Sequence, residues 1–245
     1  MTKIKNMLSV IMPAYNEENC IYQNLLAACD CIGGFCPIYE LIVVNDGSSD
    51  HTFEEAMRAR SENPHIKIAT YQVNRGKGGA IKEGIEHAGG EYIAFLDADL
   101  DLSPEHLHAF LDALLDEDAD IVIGSKLHRD SSLNYPLKRK IMSYGYYILL
   151  RILFRLELKD TQTGVKLYRA DVIKPLAREL KTSGYAFDIE ILARANQIGC
   201  RIIEMPVQLD YKRDTSEGSP RIRLLDICSM FWDTLKIFWD VRVRS

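Results

Sequence analysis

No stretch of this chain is apolar for the roughly 20 residues that a membrane-spanning helix needs. The first apolar run, Met7–Met12, is also too short for the h-region of a signal peptide, so no secretory leader is expected. Cysteine is sparse and unpatterned: six in 245 residues, with no C-x-x-C pair. Cys29, Cys31 and Cys36 cluster, but no spaced histidines follow them, which favours reduced thiols of a cytosolic protein over a metal site. A cationic excess is missing too. The net charge of −5 excludes bulk nucleic-acid binding, and 47% hydrophobic content excludes a disordered chain. There are only two tryptophans, Trp232 and Trp239, and both lie in one C-terminal segment. No internal repeat or low-complexity segment appears.

What is present is an alternation. Strand-like runs at Leu8–Met12, Tyr39–Val44, Ile66–Tyr71, Tyr92–Leu96 and Asp120–Gly124 are separated by helical patterns near 17–32, 51–62, 77–88 and 104–116. Such alternation predicts βαβ units, an α/β fold with a mostly parallel sheet, and a length of 245 residues suits one large domain. Ser103-Pro104-Glu105 reads as a helix start, with serine as N-cap and proline in the first turn. After Gly124 the rhythm breaks into a long helical stretch (136–156), a turn-rich loop (159–166), helices near 170–180 and 187–198, and a strand over Arg201–Leu209.

Each early strand ends in polar residues. The first runs into Pro13-Ala14-Tyr15-Asn16-Glu17-Glu18 and the second into Asn45-Asp46-Gly47-Ser48-Ser49-Asp50. The third is followed by Asn74-Arg75-Gly76-Lys77-Gly78-Gly79, and the fourth by Asp97, Ala98, Asp99 and Asp101. Open parallel sheets bind ligands beyond the carboxyl ends of their strands. Alternate carboxylates there suit a hard divalent cation, Mg²⁺ or Mn²⁺, which can also hold a diphosphate. Asp46 can accept an amide hydrogen of a nucleobase. The glycines permit close backbone approach, or simply make turns, and Lys77 places a positive charge at a helix start.

Two segments carry surface signals. Between Lys126 and Leu156, seven Lys and Arg side chains face Asp130 alone, and they flank the uncharged stretch Ile141–Leu150. A basic, apolar-faced segment of this kind suits an anionic membrane surface. On Arg223–Val243, Asp226, Ser229, Asp233, Lys236 and Asp240 share one narrow arc, while apolar residues fill most of the rest. That helix either packs on the core or lies in a membrane interface, where tryptophan is favoured.

The order PAYNEE, NDGSSD, NRGKGGA, DAD resembles the inverting glycosyltransferases of family 2, with the GT-A fold. The resemblance continues through IGSKLH, NYPLKRKIMSYGY, KDTQTGVKLYR, GYAFDIEIL and EMPVQL, segments similar to the dolichyl-phosphate mannose and glucose synthases and their polyprenyl-phosphate relatives. It implies a GT-A domain over residues 1–220, with 134–157 facing acceptor and membrane, and an amphipathic helix over 221–245. Carried over, it implies that Pro13, Tyr15, Glu17, Val44 and Asp46 line the base and ribose, and that Lys77 and Ala98 complete the nucleotide-sugar set. Asp97 and Asp99 would bind the metal and diphosphate, with Asp101 as a third ligand in place of the more usual glutamine. Arg139 and Arg151 would clasp the acceptor phosphate. Arg213 and Arg221 would close over the donor, although Gly218-Ser219-Pro220-Arg221 departs from the G-S-K-L of relatives.

The implied reaction moves a hexose from GDP-mannose or UDP-glucose to a polyprenyl phosphate at the cytoplasmic face of a membrane, with peripheral attachment. A saccharide hydroxyl acceptor, as in cell-wall or surface polysaccharide synthesis, is the alternative. A non-catalytic nucleotide-sugar-binding module is the alternative of another class. In the resemblance, Asp188 and Glu190 of FDIE stand where hydroxyl-acceptor relatives place a catalytic base. By themselves they also fit acids at a helix N-terminus.

Overall fold

The computed structural model describes residues 7–131, 137–208 and 224–243, with side chains over 7–131, 145–208 and 230–241. Among these residues seven strands form one sheet: β1 (Leu8–Ala14), β2 (Tyr39–Asp46), β3 (Ile66–Tyr71), β4 (Tyr92–Phe95), β5 (Ile121–Ser125), β6 (Lys166–Arg169) and β7 (Ile202–Pro206). Their order across the sheet is β3-β2-β1-β4-β6-β5-β7. β1, β2, β3 and β4 are parallel, as are β5 and β7, and β6 runs antiparallel between β4 and β5. This is the expected α/β architecture, with one addition. The turn-rich reading of 159–166 stops short of β6, because a strand of four residues carries too little periodicity to register.

The parallel strands read as continuous apolar runs because both faces of the sheet are covered. β2 is buried along its whole length. On one face pack α1 (Ile21–Phe35), α2 (Thr52–Glu62) and α4 (His106–Asp116), with Leu25, Ile32, Ala56, Leu107 and Leu111 in that core. On the other pack α3 (Lys77–His87), α6 (Ala170–Glu179) and α7 (Phe187–Gln197), where Ile81, Ile85, Ile173, Ile189 and Leu192 meet Ile11 and Val44. α4 begins at His106, later than expected, because Leu107 N–H bonds Pro104 O in a tight first turn while Ser103 Oγ accepts the Glu105 N–H.

Two C-terminal elements join the second core. α5 (Leu137–Phe154) and α8 (Leu224–Phe238) are linked by Tyr146 OH and Thr234 Oγ1 at 2.8 Å, and by an edge-on contact of Phe154 with Phe238. Ile237 and Val241 are buried in that core, so one side of the C-terminal helix packs as a core helix does. α8 runs on into a π-helical turn, Trp239–Val243. The other side keeps Trp232 (64%) and Trp239 (62%) exposed, seven residues apart and on one arc.

A buried carboxylate ties the amino-terminal half together. Glu40 on β2 accepts the Ser9 hydroxyl (2.5 Å) and the Gly89 N–H (2.7 Å) and pairs with Lys67 (2.5 Å). Burial raises the Glu40 carboxyl, and these partners outweigh it, holding it below the ordinary glutamate range. Its stabilisation is therefore complete above the unfolded value of about 4.3 and is lost as pH falls through the lower folded value. Glu40→Gln should cost about 1.5–3 kcal/mol at pH 7. In urea unfolding the difference from the parent should shrink below about pH 4.

Candidate active site

The carboxyl ends of β1, β2, β3 and β4 lie side by side at one edge of the sheet, and hydrogen bonds brace their loops against one another. Asn16, with φ 54°, donates its N–H to Ser48 Oγ and accepts the Ser49 N–H on Oδ1. Glu17 N–H bonds Thr52 Oγ1 at 2.7 Å, and Glu18 N–H bonds Asp50 Oδ2 at 3.2 Å. Gly47 has φ 66°, and a Cβ there would come within 2.7 Å of Asn74 N, so only glycine lets the second and third loops close up. Pro13 and Tyr15 stand at the rim, Tyr15 half exposed. Val44 is wholly buried in the packing layer beneath α3. Asp46 is buried as well, and its Oδ1 accepts the Tyr71 hydroxyl and the Arg75 N–H, each at 2.7 Å.

β4 delivers Asp97 into the centre of this edge. Lys77, the first residue of α3, places Nζ 2.5 Å from Asp97 Oδ1. Burial pushes the Asp97 carboxyl up, but Lys77, Lys166 and Lys126 outweigh it and hold it below its ordinary value. The Lys77 ammonium is pulled down by burial and raised on balance by Asp97, Asp188 and Asp99. On the other side Gly164 presses against the same carboxylate. A Cβ at Gly164 would overlap Asp97 Oδ2 and reach within 2.5 Å of Cγ. From α1, Asn24 Nδ2 donates to Ala98 O at 2.7 Å and holds the turn that follows.

The expected three-carboxylate cage is not assembled. Among the described residues no three His, Cys, Asp or Glu side chains are grouped to hold a metal ion. The chain turns left-handed at Leu100 (φ 52°), ending the extended alternation that would put Asp101 beside Asp97 and Asp99. Asp101 instead donates its N–H to Asp99 Oδ1 at 3.0 Å. Asp97 and Asp99 remain hard oxygen donors at one strand end, a set that fits Mg²⁺ or Mn²⁺ once further oxygens come from a ligand.

Behind Asp97 lies a group that motif reading passed over. Lys166, the first residue of β6, is 1% exposed and pairs with Asp188 Oδ1 at 2.8 Å, and it donates to Thr163 O at 2.5 Å. Burial lowers the Lys166 ammonium and raises the Asp188 carboxyl, each partly offset by the other. Asp188, foreseen as a base or a helix-end acid, is thus a buried partner of a lysine, 5% exposed. Glu190 is taken up structurally: it accepts the Lys181 and Thr182 N–H groups and pairs with Arg194 at 2.9 Å. The KDTQTGVKLYR segment carried the signal for Lys166, since a lysine between Val165 and Leu167 in a buried run needs a partner.

The remaining expected residues lie elsewhere. Arg151 is exposed on α5, within 3.3 Å of the Tyr147 hydroxyl and 3.8 Å of Glu157. Arg139 sits in the first turn of α5 with its side chain outside the described residues, and Arg213 and Arg221 lie outside them altogether. Among the described residues no helix is long and apolar enough to cross a membrane.

Comparison with known proteins places this geometry in a family. The profile described as Glycosyl transferase family 2 matches residues 9–176. Glycosyltransferase AglD of Haloferax volcanii is 30% identical over 239 residues, 97% of this chain, which spans 38% of that protein's length. A dolichyl-phosphate beta-glucosyltransferase of Trichomonas vaginalis is 31% identical over 97% of this chain and 76% of its own. The undecaprenyl-phosphate mannosyltransferase of Micrococcus luteus is 30% identical over 80% of this chain and 81% of its own. Glucosyl-3-phosphoglycerate synthase from Mycobacterium tuberculosis, solved with Mn²⁺, uridine diphosphate and phosphoglyceric acid, superposes with a TM-score of 0.72. It covers 97% of this chain and 78% of its own at 19% identity, a likeness of fold. With a strand-end site on this sheet and a profile match over most of its length, the chain belongs to glycosyl transferase family 2, with the GT-A architecture.

Proposed function

We propose that this chain transfers a hexose from UDP-glucose or GDP-mannose to a polyprenyl phosphate, working at the cytoplasmic face of a membrane. The observation that carries this reading is the burial of Asp188 in an ion pair with Lys166. A hydroxyl acceptor needs a base within hydrogen-bond reach of its proton. A phosphate monoester, with a second pKa near 6, arrives already ionised and needs none. The relatives named for dolichyl and undecaprenyl phosphate support the same acceptor class.

In this mechanism Tyr15, Pro13 and Glu17 flank the base and ribose, and Asp46, whose Oδ1 is engaged in the fold, offers Oδ2 to a base N–H. Lys77 and the amide groups opening α3 receive the diphosphate. Asp97 and Asp99 would hold Mg²⁺ or Mn²⁺ with the donor, and the ion, when bound, neutralises charge on the departing diphosphate. An acceptor phosphate oxygen attacks the anomeric carbon as the bond to the nucleoside diphosphate breaks on the opposite side, inverting the centre. Arg139 would hold the acceptor phosphate, and Arg213 and Arg221 the donor.

Membrane attachment is proposed to use the exposed apolar residues of α5, α8 and the π-helical turn after it: Ile148, Ile152, Phe231, Trp232 and Trp239. Tryptophan at such positions partitions to the headgroup level, and the cations near α5 favour anionic lipid.

Two measurements test the reading. With farnesyl phosphate as acceptor, the folded fraction of Asp188→Asn should keep kcat at saturating substrates within about tenfold of the parent, whereas loss of a general base would cost 10²–10⁴. The lost counter-ion of Lys166 should show instead as lower stability and weaker donor binding. In the same assay Arg139→Ala should raise the acceptor KM and lower turnover, a loss of about ten- to a hundredfold at subsaturating acceptor, since a charge-assisted contact contributes roughly 1.5–3 kcal/mol. Farnesol should not be glycosylated. A hydroxyl-bearing saccharide that turns over, with Asp188→Asn inactive, would replace this acceptor with the alternative one.

Binding to vesicles containing phosphatidylserine should be extracted by salt. It should weaken in Trp232→Ala/Trp239→Ala without a change in donor affinity. Equal binding by parent and variant in co-sedimentation would remove α8 from the interface.

A further inference from the structure

The Lys166–Asp188 pair meets no ligand in the mechanism above, and stability gives little reason for it. Lys166 lies opposite Phe95 on β4 and Ile123 on β5, inside the sheet. Desolvating two charges costs several kcal/mol per ion, and apolar side chains of like volume commonly fill such a place with equal or better stability. Its contacts suggest a different task. The same ammonium holds the Thr163 carbonyl, and the next residue is Gly164, whose backbone forms a wall against Asp97 Oδ2. Lys77 meets the other oxygen of that carboxylate. Asp97 is thus seated between a backbone wall and an ammonium, and the wall is anchored from beneath by Lys166.

The outer half of the 159–166 strap is pinned by other groups. Asp160 accepts the Lys126 N–H at 2.9 Å and the Gln162 N–H at 3.1 Å, and Glu204 on β7 accepts the Lys159 and Asp160 N–H groups. Gly124 packs tightly under Thr163, where a Cβ would come within 2.9 Å of Cγ2, so the sheet supports the strap from that side. Of these anchors, Lys166 is the one that bonds the peptide immediately before Gly164.

We propose that Lys166 is a positioning residue for the donor carboxylate Asp97: by anchoring the Thr163 carbonyl it seats Gly164 against that carboxylate and so sets the affinity for a nucleoside diphosphate. Asp188 serves as the counter-ion that keeps the Lys166 ammonium in place. The inference rests on the reading that Asp97 receives the donor.

The test is calorimetric titration of UDP and of GDP, each with Mn²⁺, into the parent, Asp97→Ala, Lys166→Met/Asp188→Leu, Gly164→Ala and the triple variant Asp97→Ala/Lys166→Met/Asp188→Leu. Replacing both members of the pair leaves no unpaired buried charge, so the melting temperature should stay near that of the parent. Nucleotide affinity should nonetheless fall on the order of ten- to a hundredfold, the scale of a small misplacement at a working site. Gly164→Ala, which keeps the pair, should show a similar loss. In the Asp97→Ala background the paired substitution should add nothing, because both changes act through one carboxylate. Parental affinity in the paired variant, or a loss repeated in full without Asp97, would overturn the positioning role. Should the paired variant fail to fold, Lys166→Arg, which keeps a cation beside Asp188 but moves it off the Thr163 carbonyl, decides the question with and without Asp97→Ala by the same non-additivity. If Asp97→Ala alone binds nucleotide as the parent does, the donor assignment itself fails, which is separate from failure of the Lys166 inference.

Discussion

The ion pair of Lys166 with Asp188 is the constraint around which the strand-end edge is built. An ammonium inside a sheet is tolerated only with a carboxylate beside it, and that requirement brings the start of β6 and the start of α7 together. Once they meet, the strap preceding β6 has one course. It crosses the end of β4, lays Gly164 on Asp97, and leaves Lys77 to close the other side. The charges alternate, Lys77, Asp97, Lys166 and Asp188, so that each offsets part of the burial cost of its neighbours.

The two halves of the molecule are stiffened by different means. In the first half, loop-to-loop hydrogen bonds such as Asn16–Ser48, Glu17–Thr52 and Arg75–Asp46 convert separate turns into one platform. In the second half, ion pairs take over. Asp240, in the π-helical turn, meets Lys181 and Arg194, and Arg194 also holds Glu190 on α7. The C-terminal helix with its exposed tryptophans is therefore latched to the helix that carries Asp188. Because the latch bridges helices from different parts of the chain, the aromatic face and the strand-end edge keep a defined relation.

Most of the amino-terminal half was legible in the chain. Parallel strands buried on both faces leave unbroken apolar runs, and polar residues that cannot join such runs mark the strand ends. That logic placed Asp46, Lys77 and Asp97 at one edge, where the structure has them. It set Asp101 in line with Asp97 and Asp99, because alternation assumes an extended chain, and one left-handed residue at Leu100 ends that alternation. It missed β6, whose four residues are too few to show a period. Asp188 was visible as an acid at a helix start. Its partner was not, since Lys166 is 22 positions away in the chain and joins it only through an antiparallel return.

The amino-acid sequence by itself determined the α/β class, the edge of the sheet where the polar strand ends gather, and the family, since each follows from local periodicity and from short motifs at strand ends. Tertiary structure alone decided which of those residues touch. Seating Asp97 between Gly164 and Lys77 and closing Asp188 against Lys166 depend on β6 reversing direction between β4 and β5, and burying one side of the C-terminal helix depends on its packing against α5 and α7. A reversal of that kind is selected by long-range packing and by the cost of an unpaired buried charge, and neither leaves a period in the sequence.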